Sequence, residues 1–430
     1  MDMSPLHPRE RESAPERVVV VGAGISGLTA AHVLATRHDV TLVEAEDRLG
    51  GHAHTHTVPT EHGDLRVDSG FIVHNDRTYP YLRRLFRELG VRTHDTEMSM
   101  SIRDDSTGLE YAGGRGVKGF VARPRQLLDR EYVGMLRAVK RFHVLANRFL
   151  DSTDDGDTTT YGEFIREHGF PESFSRLYAV PVVACVWSSG EGDALDYPAR
   201  YLFRFLRHHG MLQVGDSPQW MTVVGGSRSY VDELASRLDD VRSGDAVTSV
   251  ARTPDGVEVR TASGRTDHYD RVVLATHADD ALKLLADPSP AEKEVLGAFR
   301  YSRNETVLHR DGSLMPRARL ARASWNYLVG SEPGAGAIVT YWMNRLQGLP
   351  QEEPFYVTLN ATDRIDPSSV VATMQYTHPL YDLAAVRAQG RIPDITTERT
   401  AFAGAYQGWG FHEDGCRSGV EAARAFGVEW

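Results

Sequence analysis

Val18, Val19, Val20 and Val21 form the first apolar run of the chain. Four β-branched residues with no polar residue between them are the pattern of a strand covered on both faces, as in the middle of a parallel sheet. The run stops at Gly22, and Leu28, Ala31, Leu34 and Ala35 then recur at helical spacing,. Residues 39–44 (DVTLVE) predict a second strand. From about residue 76 the pattern turns helical. Leu82, Leu85, Phe86 and Leu89 share one face of a helix that Gly90 ends, and Leu136, Val139, Phe142, Val144, Leu145 and Phe149 mark another,. Residues 151–160 (DSTDDGDTTT) read as an exposed loop,. The apolar stretch 179–189, interrupted by Pro181, runs on through Tyr201, Phe203, Phe205 and Leu206; it reads as core first and as the wall of an apolar cavity second. Further on, 222–231 predicts a strand, a Gly225-Gly226 turn and a helix over 231–238, then a short β segment at 245–247. A hairpin is predicted from 256–260 and 265–268, and a buried strand over 271–276. Segments 304–309, 324–327 and 339–344 alternate as strands of a sheet with polar groups among aromatics,.

Between the first strand and the first helix the chain reads Gly22-Ala-Gly24-Ile25-Ser26-Gly27. Gly22 permits the tight turn, Gly24 leaves no Cβ between backbone and a pyrophosphate, and Gly27 lets helix and strand pack closely. The free N–H groups of the following helix, and its dipole, point at the phosphates. The second strand ends in Glu44, followed by Ala45, where a carboxylate accepts hydrogen bonds from an adenosine ribose,. Strand, helix, strand and acid in register predict a dinucleotide site. Gly114 to Gly119 spells the same G-x-G-x-x-G, but with no apolar strand before it and no acid-bearing strand after it this reads as a turn.

A chain of 430 residues is too long for one ordinary core, so two domains are expected,. A hydrophobic content of 41% with 25% charged residues places it among globular proteins, and the net charge of −11 argues against a nucleic-acid partner,. Cys185 and Cys416 are too few for a disulfide framework, which fits a cytoplasmic location,. No apolar run approaches the ~20 residues of a membrane span, although peripheral contact stays open. Residues 1–16 read as a disordered leader,.

Beyond Glu44 the chain continues Asp47-Arg48-Leu-Gly50-Gly51-His52, and later Asp68-Ser-Gly70-Phe71. The glycine fingerprint, an acid, R-x-G-G and D-x-G together resemble the opening signature of flavoproteins related to amine oxidases, protoporphyrinogen oxidase and phytoene desaturases. The resemblance implies non-covalent FAD, with Glu44 on the ribose, Arg48, Gly50 and Gly51 along the diphosphate and flavin, and Gly70 and Phe71 near the flavin. His52 stands where the family commonly carries arginine. Val247 would hold the adenine edge through its backbone, and Ala275 and Thr276 match the family's strand end near the diphosphate. Near the C-terminus, 404–423 is similar to the family's closing motif. There Asp414 would lie near the ribityl chain, Gly415 and Cys416 would offer backbone N–H groups to the ring, and His412 would stand at one wall of an aromatic cage. His52, His54 and His56 alternate and would share one face of a strand,. Three imidazoles on one face have the chemistry to hold zinc or iron, but without a nearby carboxylate pattern they read as a polar strand beside the cofactor, and no metal is expected. Segments 68–75, 225–227, 324–327 and 411–415 also look like a narrower bacterial branch, FAD-dependent proteins often encoded beside cyclopropane-fatty-acid-synthase-like methyltransferases. That likeness implies an apolar lipid or acyl substrate and raises a lipid methyltransferase as a partner.

The expected architecture is α/β. A discontinuous Rossmann-like FAD-binding domain (17–75, 215–285, 396–430) carries an inserted α+β substrate or cap domain (76–214, 286–395). The expected activity is hydride transfer between an apolar substrate and flavin N5, with His74, Asn75, Asn326 and His412 as substrate-facing candidates. Electrons would leave to oxygen, a quinone or a protein. Two alternatives stand beside it: an amine or amino-acid oxidase releasing hydrogen peroxide, and a non-catalytic FAD-carrying partner of a lipid methyltransferase. The lysine that amine oxidases of this group place near flavin N5 has no counterpart, since none follows Lys293.

Overall fold

The structure, a computed structural model, describes residues 14–114, 116–152, 154, 156–213, 215, 217–330 and 337–430. Residues 1–13 of the expected leader and Arg115 of the second glycine motif lie outside them.

The valine run forms the middle strand, Arg17–Val21, of a five-stranded parallel sheet. Asp39–Val43 and Asp240–Arg242 lie on one side of it, Arg271–Leu274 and Thr400–Phe402 on the other, so three separated stretches of chain supply one sheet. Its side chains alternate between two apolar layers. Val18 and Val20 meet Leu28, Ala31 and Val420, whereas Val19 and Val21 meet Val250, Val272 and Leu274. Both faces are dry, which is why the run carries no polar alternation.

The helix Ile25–Leu34 follows the first strand, and the C-terminal helix His412–Ala425 packs along it. Small residues set that approach. A Cβ on Gly419 would fall 2.4 Å from Ser26 O, and one on Gly415 would fall 2.6 Å from Ile25 Cγ2. The two helix N-termini therefore lie side by side.

A seven-stranded sheet runs in the order Val370–Leu380, Arg300–His309, Tyr356–Leu359, Ile338–Trp342, Trp325–Val329, Met100–Asp104, Leu109–Gly113. Only Trp325–Val329 and Met100–Asp104 pair in parallel. Several expectations are corrected here. The strand expected over 339–344 ends at Trp342, and Met343–Leu346 is helical. A strand, Leu109–Gly113, does precede the second glycine motif, and most of the motif itself lies in a short helix, Gly116–Phe120, where a turn was expected. That strand is an antiparallel edge, so no βαβ crossover forms there,. Pro181 does not break its segment: helix runs from Glu172–Phe174 through a π-helical stretch, Ser175–Ala179, into Val180–Trp187, and the π-helical stretch lies just before the proline, where the ladder must do without one N–H,. The helix Pro80–Leu89 ends as expected at Gly90, in the left-handed region at φ 68°,. Among the described residues no helix is long and apolar enough to cross a membrane.

Candidate functional site

The glycine loop sits at the carboxyl end of the parallel sheet. Gly22 has φ +99°, and a Cβ on it would lie 2.8 Å from Ala275 O, so both its conformation and its neighbour exclude a side chain,. Thr276 closes the same corner, its Cγ2 3.3 Å from that position. Gly24 caps the helix Ile25–Leu34, and a Cβ there would meet nothing within 4 Å. Gly50 N donates to Ala23 O, and Gly51 brings its backbone against Gly24, completing a floor of main chain before the helix N-terminus. Glu44 follows the second strand; its carboxylate accepts from Ala23 N at 2.7 Å and Glu46 N at 3.0 Å, while Ala45 is exposed. Arg48 donates to Gly51 O and pairs with Glu46 at 3.0 Å. Gly244 N donates to Glu46 O, which brings the start of the strand Val247–Thr253 to this corner. The N–H groups of a helix first turn, an acid and a guanidinium in this order fit an anionic dinucleotide.

At the adjoining helix N-terminus, Asp414 is buried, accepts from Phe411 N at 3.1 Å and lies 3.5 Å from Arg417. Burial raises its carboxyl to about 6. Gly408 must be glycine, since a Cβ would overlap Asp414 Oδ1. Cys416 is fully buried and accepts from Thr29 Oγ1 at 3.6 Å, and burial pushes its thiol up. Glu413 turns away and caps the helix Pro80–Leu89 through Tyr81 N and Leu82 N; burial raises it to about 7.

His412 stacks on Phe71 at 3.8 Å between ring centres, with its Nε2 3.0 Å from Tyr230 Oη. Burial lowers it to about 3. Gly70 allows Phe71 to turn in, because a Cβ on Gly70 would lie 2.2 Å from His52 O. The expected common face of three histidines is not found, because the strand Thr55–Val58 begins only after His54. His54 and His56 stack at 4.1 Å and bond to Tyr376 and Ser69, whereas His52 turns toward Tyr376 and His378. Burial lowers His378 to about 4. His277, Asp279 and Asp280 come within 4.8 Å of one another, but Lys283 Nζ sits 2.8 Å from both aspartates and supplies their cation.

Three substrate-facing candidates are enclosed by the protein itself. Asn75 Oδ1 accepts from Arg77 N and Thr78 N, and its amide nitrogen donates to Thr78 Oγ1, so it holds its own turn. Asn326 is 3% exposed and accepts from Ser101 Oγ and Ala323 N while donating to Ala323 O and Thr340 O. Its hydrogen-bonding capacity is spent within the sheet. His74 is buried edge-on against Phe86 at 5.3 Å, and burial lowers it to about 4.

Sequence patterns did not reveal what holds the loop before the C-terminal helix. Tyr201 Oη donates to Gly408 O at 2.7 Å, Trp187 Nε1 to Trp409 O at 2.8 Å, and Gln389 Nε2 to Tyr406 O and Gly408 O. Phe205 stacks on Phe411 at 5.2 Å and meets Trp187 at 4.7 Å, giving an aromatic wall beside His412. No local signal marks these bonds, since each joins residues remote in the chain.

The family described as flavin containing amine oxidoreductase matches residues 25–308. Amine oxidase [flavin-containing] A of Canis lupus familiaris is 29% identical over 290 residues, covering 65% of this chain and 53% of that protein, so the chain spans about half the length of that relative. Cyclohexylamine oxidase from Brevibacterium oxydans has the same fold with a TM-score of 0.68 at 17% identity, covering 96% of this chain and 98% of the other. A CLA-producing fatty acid isomerase from P. acnes aligns with a TM-score of 0.67 at 17% identity, covering 95% and 98%.

Proposed function

Because this chain belongs to the family of flavin-containing amine oxidoreductases, we propose that it is an FAD-dependent oxidoreductase whose substrate is apolar and uncharged where it meets the cofactor. Bound FAD supplies a two-electron acceptor; the protein binds, orients and keeps out water. The N–H groups of Ile25 and Ser26, with Arg48, would hold the diphosphate, and Glu44 the ribose. The paired helix N-termini at Gly24 and Phe411 would offer positive dipole ends where negative charge develops on reduction; the N–H of Gly415, expected to reach the ring, is instead bonded to Phe411 O at 3.0 Å within the helix,. Phe71, His412, Phe411 and Phe205 would face the substrate.

One observation carries the substrate class: the carboxylates around the site are already engaged. Asp68 accepts from Thr55, Ser227 and Gln347, Glu413 caps one helix and Asp414 caps another. Their oxygens are turned to the protein's own donors and not to the Phe71–His412 wall, so a substrate ammonium would have none of these three carboxylates directed at it, whereas an acyl or lipid-like chain would find aromatic walls. The test is an anaerobic absorbance titration of the holoprotein with fatty acyl lipids and with amines. Loss of the oxidised flavin band with a lipid supports the proposal. Bleaching by amines alone moves the assignment to an amine oxidase, a reading that the family match favours and that a neutral Phe71–His412 wall would accommodate. A flavin that nothing bleaches points to a cofactor-carrying partner protein.

A further inference from the structure

His52 lies next to the glycine that touches Gly24, and its Nε2 is buried without a hydrogen-bond partner. Such an atom in a folded interior calls for a partner, water or ligand. The groups that face it are all neutral or cationic. Tyr376 and His378, from the strand Val370–Leu380, lie at 4.9 and 5.3 Å between ring centres. His277, beyond the strand Arg271–Leu274, His412 of the C-terminal helix, and Arg48 complete the surround. Burial first, then these basic neighbours, hold the His52 imidazole neutral at pH 7,.

His378 does not supply the missing charge. Asn360 Nδ2 donates to Ala337 O and to Asn304 Oδ1, which leaves Asn304 Nδ2 to donate to His378 Nδ1 at 3.1 Å. This network assigns His378 as the neutral tautomer with its proton on Nε2. A buried imidazole with a vacant nitrogen therefore stands among bases and a guanidinium, beside the N-terminus of the helix Ile25–Leu34. The acid at this corner, Glu46, is spent on Arg48 at 3.0 Å, so the surround offers His52 no anion of its own.

We propose that His52 makes cofactor binding proton-linked: its Nε2 takes one proton from solvent as FAD binds and donates it in a hydrogen bond to a diphosphate oxygen. The step is acid–base only; no electron moves and no covalent bond to the cofactor forms. It rests on the FAD assignment above and adds to it a pH dependence of affinity. Binding raises the His52 pKa from its low value in the free protein, so protons are taken up between the two values, and affinity falls as pH rises between them and levels off above the bound one.

The experiment is FAD release from the full-length holoprotein on dilution, read as free flavin fluorescence from pH 6 to 9, with ADP-ribose as a competitor that carries the same non-titrating diphosphate without the flavin ring. The expected result is a dissociation constant that rises by up to about tenfold per pH unit across one window, as one linked proton requires, with ADP-ribose showing the same slope. His52→Gln and His52→Arg should both be flat across that window, the arginine variant binding more tightly than the glutamine one. A slope that persists in either variant, or a flat wild type, overturns the proposal. A slope for FAD without one for ADP-ribose overturns the diphosphate as partner. A wild type that binds no FAD at any pH sinks the cofactor assignment itself, a result distinct from flat binding.

Discussion

Gly24 and Gly27 belong to one fingerprint, yet the structure gives their substitution opposite consequences. A Cβ on Gly24 meets nothing within 4 Å, and its backbone, φ −69° and ψ 177°, suits any residue. Alanine at a helix N-cap is worse than glycine by about 1 kcal/mol at most, and it restricts the unfolded chain by about 0.4–1 kcal/mol in the other direction. The two offset, so Gly24→Ala should unfold like the wild type when FAD is absent. On Gly27 the added carbon falls 1.8 Å from Gly22 O and 3.1 Å from Ala275 Cβ. A backbone carbonyl cannot swing aside, so the helix must lift from the sheet, at or above the ~1–3 kcal/mol of an overpacked core. For the cofactor the ranking reverses. The methyl group of Gly24→Ala stands where the diphosphate approaches; losing two charge-assisted hydrogen bonds at about 1.5 kcal/mol each weakens FAD on the order of 100-fold. Urea unfolding with and without FAD reads both effects. Ligand at 100 times its dissociation constant adds about 2.7 kcal/mol to the wild type, an increment that Gly24→Ala should largely lose. Gly24→Ala binding FAD as tightly as the wild type, or Gly27→Ala unfolding at the same urea concentration, refutes the reasoning.

Asp68→Asn should lower stability by about 1–3 kcal/mol, because an amide N–H₂ would face the donors of Thr55, Ser227 and Gln347,; an unchanged urea midpoint would contradict this. Trp187→Phe removes the donor to Trp409 O and should cost about 1 kcal/mol in thermal unfolding while weakening the hold on the loop before the C-terminal helix,. Equal melting temperature and equal FAD affinity in that variant would show that the loop is held by its other bonds. Stability should fall on acidification below pH 6.5. His54 and His412, at about 3, and His74, His209, His309 and His378, at about 4, are neutral when folded and take up protons on unfolding between those values and 6.5,. Asp68 and Asp414, raised to about 6, and Glu413, raised to about 7, act in the opposite sense, binding protons in the folded state. The histidines outnumber them, so the urea midpoint should drop from pH 6.5 to 5; a rise would show that the carboxylates dominate.

The parallel sheet and the glycine loop were legible because each depends on neighbouring residues. Consecutive valines specify a strand dry on both faces, and Gly22 and Gly27 answer to contacts formed within one strand–turn–helix unit,. The strands Met100–Asp104, Leu109–Gly113 and Val370–Leu380 were not legible, being edge or near-edge strands of mixed polarity whose partners lie far along the chain. Asn326 shows the limit for single residues: a polar side chain among aromatics looks the same in sequence whether its partners are a ligand or the backbone of the next strand. Composition and pattern alone determined a globular α/β chain with a dinucleotide loop at Gly22–Gly27 and an acid at Glu44. The tertiary structure decided which imidazoles surround the site, bringing His277, His378 and His412 to His52, and which polar groups are already satisfied. The reason is that hydrogen bonds and burial follow from sheet register and helix packing between remote segments, which no local spacing encodes.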